Sequence, residues 1–382
     1  MLCVRPLGAT ALGDKLTFSR ALGTDTGGSV RLPAAYTGTV GFKPSYGLVS
    51  RHGVVAYANS LDTVGIIAPK SSVVKQVFGN DNHIHRLFGY ETDRLLEVIK
   101  GYDSRDPTSL PLKTRAHIEE QLNTRDLKRA IRIGVPFEYN TMELEPNVRT
   151  AWFHTLKSLK KQGHSIHQVS LPTTKTALSA YYVIAPAEAS SNLAKFDGVR
   201  YGQHVSNSSH SGTVLYAATR GNGLGEEVQR RILLGAYSLS ASAIDNYFLQ
   251  AQRIRRLIQQ DFDNIFLLHN PLSSQDQRTP NGNSVDVLVF PTAPSEPSKL
   301  VDVVNQSFVD AYSDDVLTVP ASLAGLPAIS VPVQTGDAIS LEGVGNGNGT
   351  IGMQIVAQYG DDDMVFRVAE ILERACGHLS VR

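Results

Sequence analysis

The sequence places a serine directly behind two glycines near its start, in the segment Thr26-Gly27-Gly28-Ser29. A serine hydroxyl is a weak nucleophile until its proton is removed and nearby donors stabilise the oxyanion that its attack creates. Glycines open backbone angles that other residues avoid, so successive N–H groups can point into one concavity. One loop could therefore supply both an attacking oxygen, from Ser29, and the donors that receive the negative charge.

An isolated Gly-Gly-Ser also has plainer interpretations. Glycine and serine are common in turns, so the segment could be a simple chain reversal. It could also bind phosphate, but the sequence contains neither GxxxxGKS nor GxxxxGKT, the patterns of such a loop. Ser29 is therefore a candidate nucleophile whose surroundings must decide its role.

The elements predicted around this segment alternate between strands and helices. Residues 21–70 have the composition of loops and short strands, and residues 226–266 have the apolar spacing of helices. Other apolar patterns predict strands near residues 130–136, 164–171, 285–291 and 351–357, and helices that begin at Pro146 and at the acidic cluster 361–363. A strand–helix–strand order of this kind indicates a layered α/β fold.

The composition excludes several classes of protein. The 382 residues carry 36 basic and 36 acidic side chains, which argues against a strongly basic face that holds nucleic acid by itself. Cys3 and Cys376 lie at opposite ends of the chain and form no disulfide framework or zinc motif. His83 and His85 have no third ligand nearby, so we expect no metal site.

A longer block around the serine resembles a known family. It runs from Gly23 to Gly65 and contains GTDTGGSVRLP and GFKPSYG. The resemblance continues at residues 102–110, 188–193, 196–202, 230–235 and 317–332. On these segments the chain is identified as a member of the amidase signature family.

The resemblance implies an α/β fold with a mixed central β-sheet flanked by helices, here without its N-terminal part. It also implies a single domain over residues 1–382. Within that domain, residues 1–20 are unmatched and residues 21–70 form the signature core. Residues 79–91 and 270–283 are expected to be surface insertions.

The resemblance also assigns the chemistry of the glycine-rich loop. In this family the serine that follows the two glycines forms the acyl-enzyme, so Ser29 would be the nucleophile. The backbone amides of Thr26, Gly27 and Gly28 would form the oxyanion hole. The chain is most similar to members that hydrolyse glutamine for a complex acting on misacylated tRNA.

A glutamine donor needs one positive and one negative group to hold its α-carboxylate and α-amino group. The resemblance matches these to Arg231 and Asp315, with the neighbours Arg230 and Asp314 as second choices. A planar guanidinium suits a carboxylate. One tyrosine of the pair 181–182 would close the pocket. Without the resemblance, Arg231 would be interpreted as a solvated helix charge and Asp315 as a cap.

The sequence departs from the family in one respect. The other two members of the family's triad, a lysine base and a serine in a cis peptide, precede the nucleophile in relatives. Neither motif occurs among the 28 residues before Ser29, where Lys15 and Ser19 lie in unrelated contexts. Because triad members act as a unit, we expect residues 1–382 alone to be nearly inactive.

The resemblance implies partners as well. A B subunit would use ATP and Mg²⁺, so no cofactor is expected on this chain, and a small C- or F-type subunit would complete the complex. We expect a mitochondrial location, with a bacterial-type cytoplasm as the alternative, and no membrane partner. Two other functions stay open: a stand-alone amidase for small amides, and a non-catalytic form that only binds the B subunit.

Overall fold

The computed structural model describes eleven stretches of the chain. They are residues 5–6, 9–12, 15–18, 20–79, 99–123, 125, 129–205, 216–273, 282–298, 312–334 and 350–375, with the backbone alone before residue 20. The expected insertion 79–91 lies outside the described residues from position 80 onward, and the insertion 270–283 does so from 274 to 281. His83, His85 and both cysteines also lie outside them.

One mixed sheet of nine strands forms the centre of the fold, in the order β1-β4-β6-β5-β10-β11-β9-β7-β8. The strands are β1 (Arg5–Pro6), β4 (Ala21–Asp25), β5 (Val40–Lys43), β6 (Thr63–Ala68), β7 (Arg132–Pro136), β8 (Ser165–Val169), β9 (Val287–Pro291), β10 (Ala328–Gln334) and β11 (Thr350–Ala357). A separate hairpin joins β2 (Ala9–Leu12) to β3 (Lys15–Phe18). The pairs β7–β8 and β7–β9 are parallel, and the other pairs in the sheet are antiparallel.

Helices flank the sheet. They are α1 (Arg31–Thr37), α2 (Ser71–Phe78), α3 (Leu112–Asn123), α4 (Pro146–Lys161), α5 (Ala177–Asn192), α6 (Ala217–Gly223), α7 (Glu226–Ser238), α8 (Phe248–Ile265), α9 (Val319–Ala324) and α10 (Asp362–Ala375). Short 3₁₀ turns occupy Phe137–Tyr139, Pro172–Thr176, Leu193–Lys195 and Asp314–Leu317. The helical region predicted at 226–266 is thus two helices, α7 and α8, separated by residues 239–247.

The central strands are buried on both faces and mostly apolar, and β11 carries one buried polar side chain, Gln354. Every residue of β9 is buried, and so is every residue of β11 after Thr350. On one side, Phe42, Phe78 and Phe366 form an aromatic cluster with ring centroids 4.5–5.8 Å apart. This packing fixes the sheet, and with it the loop that leaves β4.

Helices α5 and α7 pack unusually closely, and this contact brings α7 to the site. A Cβ atom added to Gly235 would lie 2.0 Å from the carbonyl oxygen of Pro186 in α5, which no side chain can occupy. Arg231 lies one turn earlier on α7. Since residues four apart share a helix face, the glycine contact also turns Arg231 toward α5.

Replacing Gly235 by alanine should therefore lower the free energy of unfolding by about 1–3 kcal/mol, because the two helices must move apart. Urea denaturation of the purified chain measures this change. Gly221→Ala in α6 is the matched control, since its added Cβ meets no atom within 4 Å. Equal stability of the two variants would contradict the packing argument.

Candidate active site

The glycine-rich loop connects the end of β4 to the start of α1. Ser29 is exposed, whereas Thr26, Gly27 and Gly28 are buried. None of the described residues accepts a hydrogen bond from the backbone amides of Gly27 or Gly28, or makes one to the Ser29 hydroxyl. The loop thus offers an accessible hydroxyl beside amides that have no acceptor among these residues.

A buried ion pair holds both ends of this loop. The guanidinium of Arg31 donates to Asp25 twice, from Nη2 to Oδ1 at 2.8 Å and from Nε to Oδ2 at 2.9 Å, and both side chains have zero exposure. The same carboxylate accepts from the backbone amide of Val30 at 3.3 Å. Burial opposes ionisation, but Arg31 outweighs it, so the pKa of Asp25 is lowered.

The remaining donors of Arg31 bind distant parts of the chain. Nη1 donates to the carbonyl of Thr318 at 2.9 Å and to Gln354 Oε1 at 2.7 Å, while Nη2 donates to Ser322 Oγ at 2.7 Å. A buried charge is tolerated only when its partners replace water. Arg31 therefore locks the loop onto α9 and β11.

Lys43 belongs to the same buried group of charges. Its Nζ donates to the carbonyl of Pro44 at 3.1 Å. Burial, reinforced by the charge of Arg31, lowers the pKa of Lys43 to about 7 despite the opposing carboxylates of Asp25 and Asp362. These neighbours place it with the charges that anchor the loop.

Three further side chains fix the walls of the loop. Thr26 Oγ1 donates to Asp62 Oδ1 at 2.7 Å, and Asp62 Oδ2 accepts from the amides of Tyr57 and Ala58 at 2.8 and 2.9 Å. A Cβ at Gly27 would lie 2.7 Å from the hydroxyl oxygen of Tyr181. The loop is therefore covered by side chains that approach its backbone directly.

Asp315 lies beside the second glycine. A Cβ at Gly28 would be 3.0 Å from Asp315 Oδ1 and 2.3 Å from Thr318 Oγ1. Burial raises the pKa of Asp315 to about 6, Asp25 and Asp314 add to the rise, and Arg31 and Arg231 oppose it. Glycine is needed here because any side chain would displace both neighbours.

Arg231 lies among aromatic rings. Its guanidinium carbon is 5.9, 5.8 and 5.7 Å from the ring centres of Tyr57, Tyr182 and Tyr312. Its Nε donates to Glu227 Oε1 at 2.7 Å, and its Nη1 donates to the Tyr57 hydroxyl at 3.0 Å. Such contacts orient a cation without neutralising the whole guanidinium.

Tyr182 contacts both Arg231 and Asp315. Its ring packs against Arg231, and its hydroxyl donates to Asp315 Oδ2 at 3.4 Å. Of the two neighbours predicted as second choices, Arg230 pairs with Glu227, and Asp314 adds to the negative charge around Asp315. The structure thus brings Arg231 and Asp315 together beside the loop, with Tyr181 on Gly27.

Several of these residues are absent from the sequence prediction: Asp25, Arg31, Asp62, Thr318, Tyr57, Glu227 and Tyr312. Asp25 and Arg31 carry a usable signal, since two opposite charges flank the serine loop at a separation of six residues. The others contact the site from far along the chain. No cluster of three or more metal-ligating side chains occurs among the described residues, and no helix described here is long and apolar enough to cross a membrane.

A mixed sheet that carries a serine behind two glycines, beside buried charges of both signs, defines an amidase-type site. Residues 10–80 and 90–366 match the Amidase family model. The chain belongs to the amidase family, and the family and α/β fold predicted from the sequence are confirmed.

Two individual relatives narrow the similarity to one kind of protein within the family. The chain is 55% identical over 372 residues to the A subunit of the mitochondrial glutamyl-tRNA(Gln) amidotransferase of Emericella nidulans, covering 93% of this chain and 69% of that protein. It is 54% identical to the Coccidioides posadasii protein of the same name, covering 93% and 68%. These relatives are mitochondrial by name, as expected for this chain.

A solved structure supports the same relationship. The crystal structure of the A subunit of glutamyl-tRNA(Gln) amidotransferase from Thermotoga maritima superposes with a TM-score of 0.62 at 31% identity. The alignment covers 94% of this chain and 62% of the Thermotoga chain. The chain therefore spans about two thirds of the length of these relatives.

Replacing Gly28 by alanine should lower the free energy of unfolding by about 1–3 kcal/mol, because the new methyl group overlaps Thr318. Adding Thr318→Ala should recover part of this loss. Urea denaturation of the four chains in this double-mutant cycle measures the coupling, which we expect to exceed about 0.5 kcal/mol. Strictly additive losses of unfolding free energy would show that the methyl group added at position 28 does not contact Thr318.

Proposed function

We propose that the chain is the glutamine-hydrolysing subunit of a glutamyl-tRNA(Gln) amidotransferase. Its similarity to proteins of that name in two fungi and in Thermotoga supports this assignment. In the proposed reaction, Ser29 Oγ attacks the side-chain amide carbon of glutamine and the C–N bond breaks. Ammonia leaves with the serine proton, and water then hydrolyses the glutamyl ester to glutamate.

The observation that carries this proposal is the pair of opposite charges beside the serine loop. Free glutamine has a carboxylate and an ammonium on the same carbon. Arg231 would bind the carboxylate, and Asp315 would accept hydrogen bonds from the ammonium, on the two sides of Tyr182. A small neutral amide carries neither a carboxylate nor an ammonium group to pair with these charges. The arrangement therefore favours an amino acid donor over the small-amide alternative.

The loop would supply the electrostatic part of catalysis. Attack by Ser29 turns the amide oxygen into an oxyanion, and the amides of Thr26, Gly27 and Gly28 are proposed to stabilise it. Because the buried pair of Asp25 and Arg31 already fixes the loop, its amide donors need no reorganisation during the reaction. In the family that this chain resembles, a bridging serine and a lysine transfer the proton, and neither motif occurs among the 28 residues before Ser29. The residues named here therefore account for the nucleophile and the oxyanion hole only.

The ammonia would be consumed by a partner. A B subunit is proposed to activate glutamyl-tRNA(Gln) with ATP and Mg²⁺, so that this chain itself needs no cofactor. A small subunit of C or F type would complete the assembly. The relatives' names, which call them A subunits, support an assembly of several subunits. The particular partners and their use of ATP are proposed from the resemblance to the family.

Ser29→Ala tests the proposed function in the assembled amidotransferase complex that contains this chain. Conversion of glutamyl-tRNA(Gln) with glutamine as donor should fall by at least about 10³-fold, because the acyl-enzyme can no longer form. Conversion supported by added ammonium chloride should be unchanged, since it bypasses this site. Ser104→Ala, at an exposed serine, is the control. A Ser29→Ala complex that still uses glutamine would refute the proposal.

Glutamine binding should also weaken at acid pH. The pKa of Asp315 lies near 6 in the folded chain, so this carboxyl loses its charge as the pH falls through that value. One protonation that opposes binding weakens affinity about tenfold between pH 7 and pH 5.

NMR titration of the chain with glutamine measures this change. Glutaramate, which has the carboxylate but no ammonium, should show no such loss, and Asp315→Asn should remove the pH dependence for glutamine. An unchanged profile in Asp315→Asn would assign the ammonium to another group.

A further inference from the structure

Glu227 lies one turn before Arg231 on α7, between that arginine and two other polar side chains. Its Oε1 accepts from Arg231 Nε at 2.7 Å and from the Tyr312 hydroxyl at 2.5 Å. Its other oxygen accepts from Arg230. Both oxygens of the carboxylate are therefore occupied by donors.

These contacts leave one end of Arg231 open. Nε is occupied by Glu227 and one proton of Nη1 by Tyr57, and no described residue accepts from Nη2. A guanidinium binds a carboxylate best through two parallel N–H groups. Both protons of Nη2 and one proton of Nη1 thus have no acceptor among the described residues, whereas the edge that Glu227 occupies already has its Nε–H bound.

The orientation of that end depends on Glu227. An arginine side chain has several freely rotating bonds and loses rotamer freedom when it is fixed, so its orientation must be held by contacts. The three aromatic rings surround the guanidinium, and the hydroxyl of one of them, Tyr57, holds Nη1. The hydrogen bond from Nε to Glu227 adds a second fixed point, and two fixed points together set the direction of the guanidinium within its plane.

Although burial opposes it, the bonds from Tyr312, Arg231 and Arg230 keep the pKa of Glu227 below its usual value. The carboxylate therefore stays ionised at neutral pH and acts as a permanent anchor. It also offsets part of the repulsion between the adjacent guanidiniums of Arg230 and Arg231.

We propose that Glu227 is a positioning residue that aims the Nη1–Nη2 end of Arg231 at the α-carboxylate of the substrate, with Tyr312 holding Glu227 in place. The inference rests on the proposed function and adds a specificity determinant to it. Glu227 touches no reacting atom. Its effect should therefore fall on ligands that carry a carboxylate and on no others.

Three ligands separate this role from a general structural one: L-glutamine, glutaramate, which lacks the amino group, and 4-aminobutanamide, which lacks the carboxylate. Binding of each to the chain is measured by ligand-observed NMR titration, which needs no turnover. Glu227→Gln should weaken glutamine and glutaramate about tenfold and leave 4-aminobutanamide unchanged. Arg231→Ala should show the same selectivity with a larger loss.

Glu226→Gln is the matched control. Glu226 is exposed in the same first turn of α7, so its loss removes the same favourable interaction with the helix N-terminus. It should leave all three affinities unchanged. An equal loss in Glu226→Gln, or an equal loss for all three ligands in Glu227→Gln, would overturn the positioning role.

The results for Arg231→Ala and Glu227→Gln also distinguish a failure of the positioning role from a failure of the proposed function. If Arg231→Ala selectively weakens the carboxylate ligands and Glu227→Gln does not, the inference fails while the proposed function stands. If Arg231→Ala has no selective effect, or the unaltered chain binds no glutamine, the glutamine site itself is wrong, and the role of Glu227 is wrong with it.

Discussion

The ion pair between Asp25 and Arg31 is the contact on which the shape of the serine loop depends. Both charges are fully buried, so each would destabilise the fold strongly if it lacked partners. Arg31 is instead saturated by Asp25, Ser322, Gln354 and the carbonyl of Thr318. These partners come from segments nearly three hundred residues apart, so the loop acquires its geometry only when the last strands have joined the sheet.

The buried charges of Asp25 and Arg31 also influence the ionisation of Asp315. Burial raises the pKa of Asp315, Asp25 and Asp314 add to the rise, and Arg31 and Arg231 oppose it, so the ionisation of Asp315 reflects four charged neighbours as well as its own burial. Tyr182 touches both Asp315 and Arg231, and among the described residues no ion pair joins these two charges. An ion pair between the two would leave neither charge for a ligand. Separation by an aromatic ring keeps both available.

Close backbone approach is the second constraint on this region. Gly28 is confined by Thr318 and Asp315, Gly27 by Tyr181, and Gly235 by the carbonyl of Pro186. Each glycine lets a neighbouring element come nearer than a side chain would allow. The result is that α5, α7 and the turn at Asp314–Leu317 converge on a loop only a few residues long.

Local sequence patterns predicted much of the fold. The strands β7, β9 and β11 and the helices α4 and α10 lie where apolar spacing and capping residues indicated them, because such patterns reflect burial of one local face. The break between α7 and α8 was not predicted. Residues 239–247 keep the apolar content of a helix, and only packing decides that the chain turns there.

Within the site, the serine loop and the family could be identified without a structure, since glycines and a nucleophile at fixed spacing form one continuous motif. Which of two adjacent arginines and which of two adjacent aspartates lies beside that loop depends on the packing of their elements. Arg230 and Arg231 point about 100° apart on the α-helix α7, and Asp314 and Asp315 about 120° apart in their 3₁₀ turn, so the packed face selects one of each pair. Glu227 and Tyr312 meet across 85 positions of chain, a distance that no local pattern can bridge.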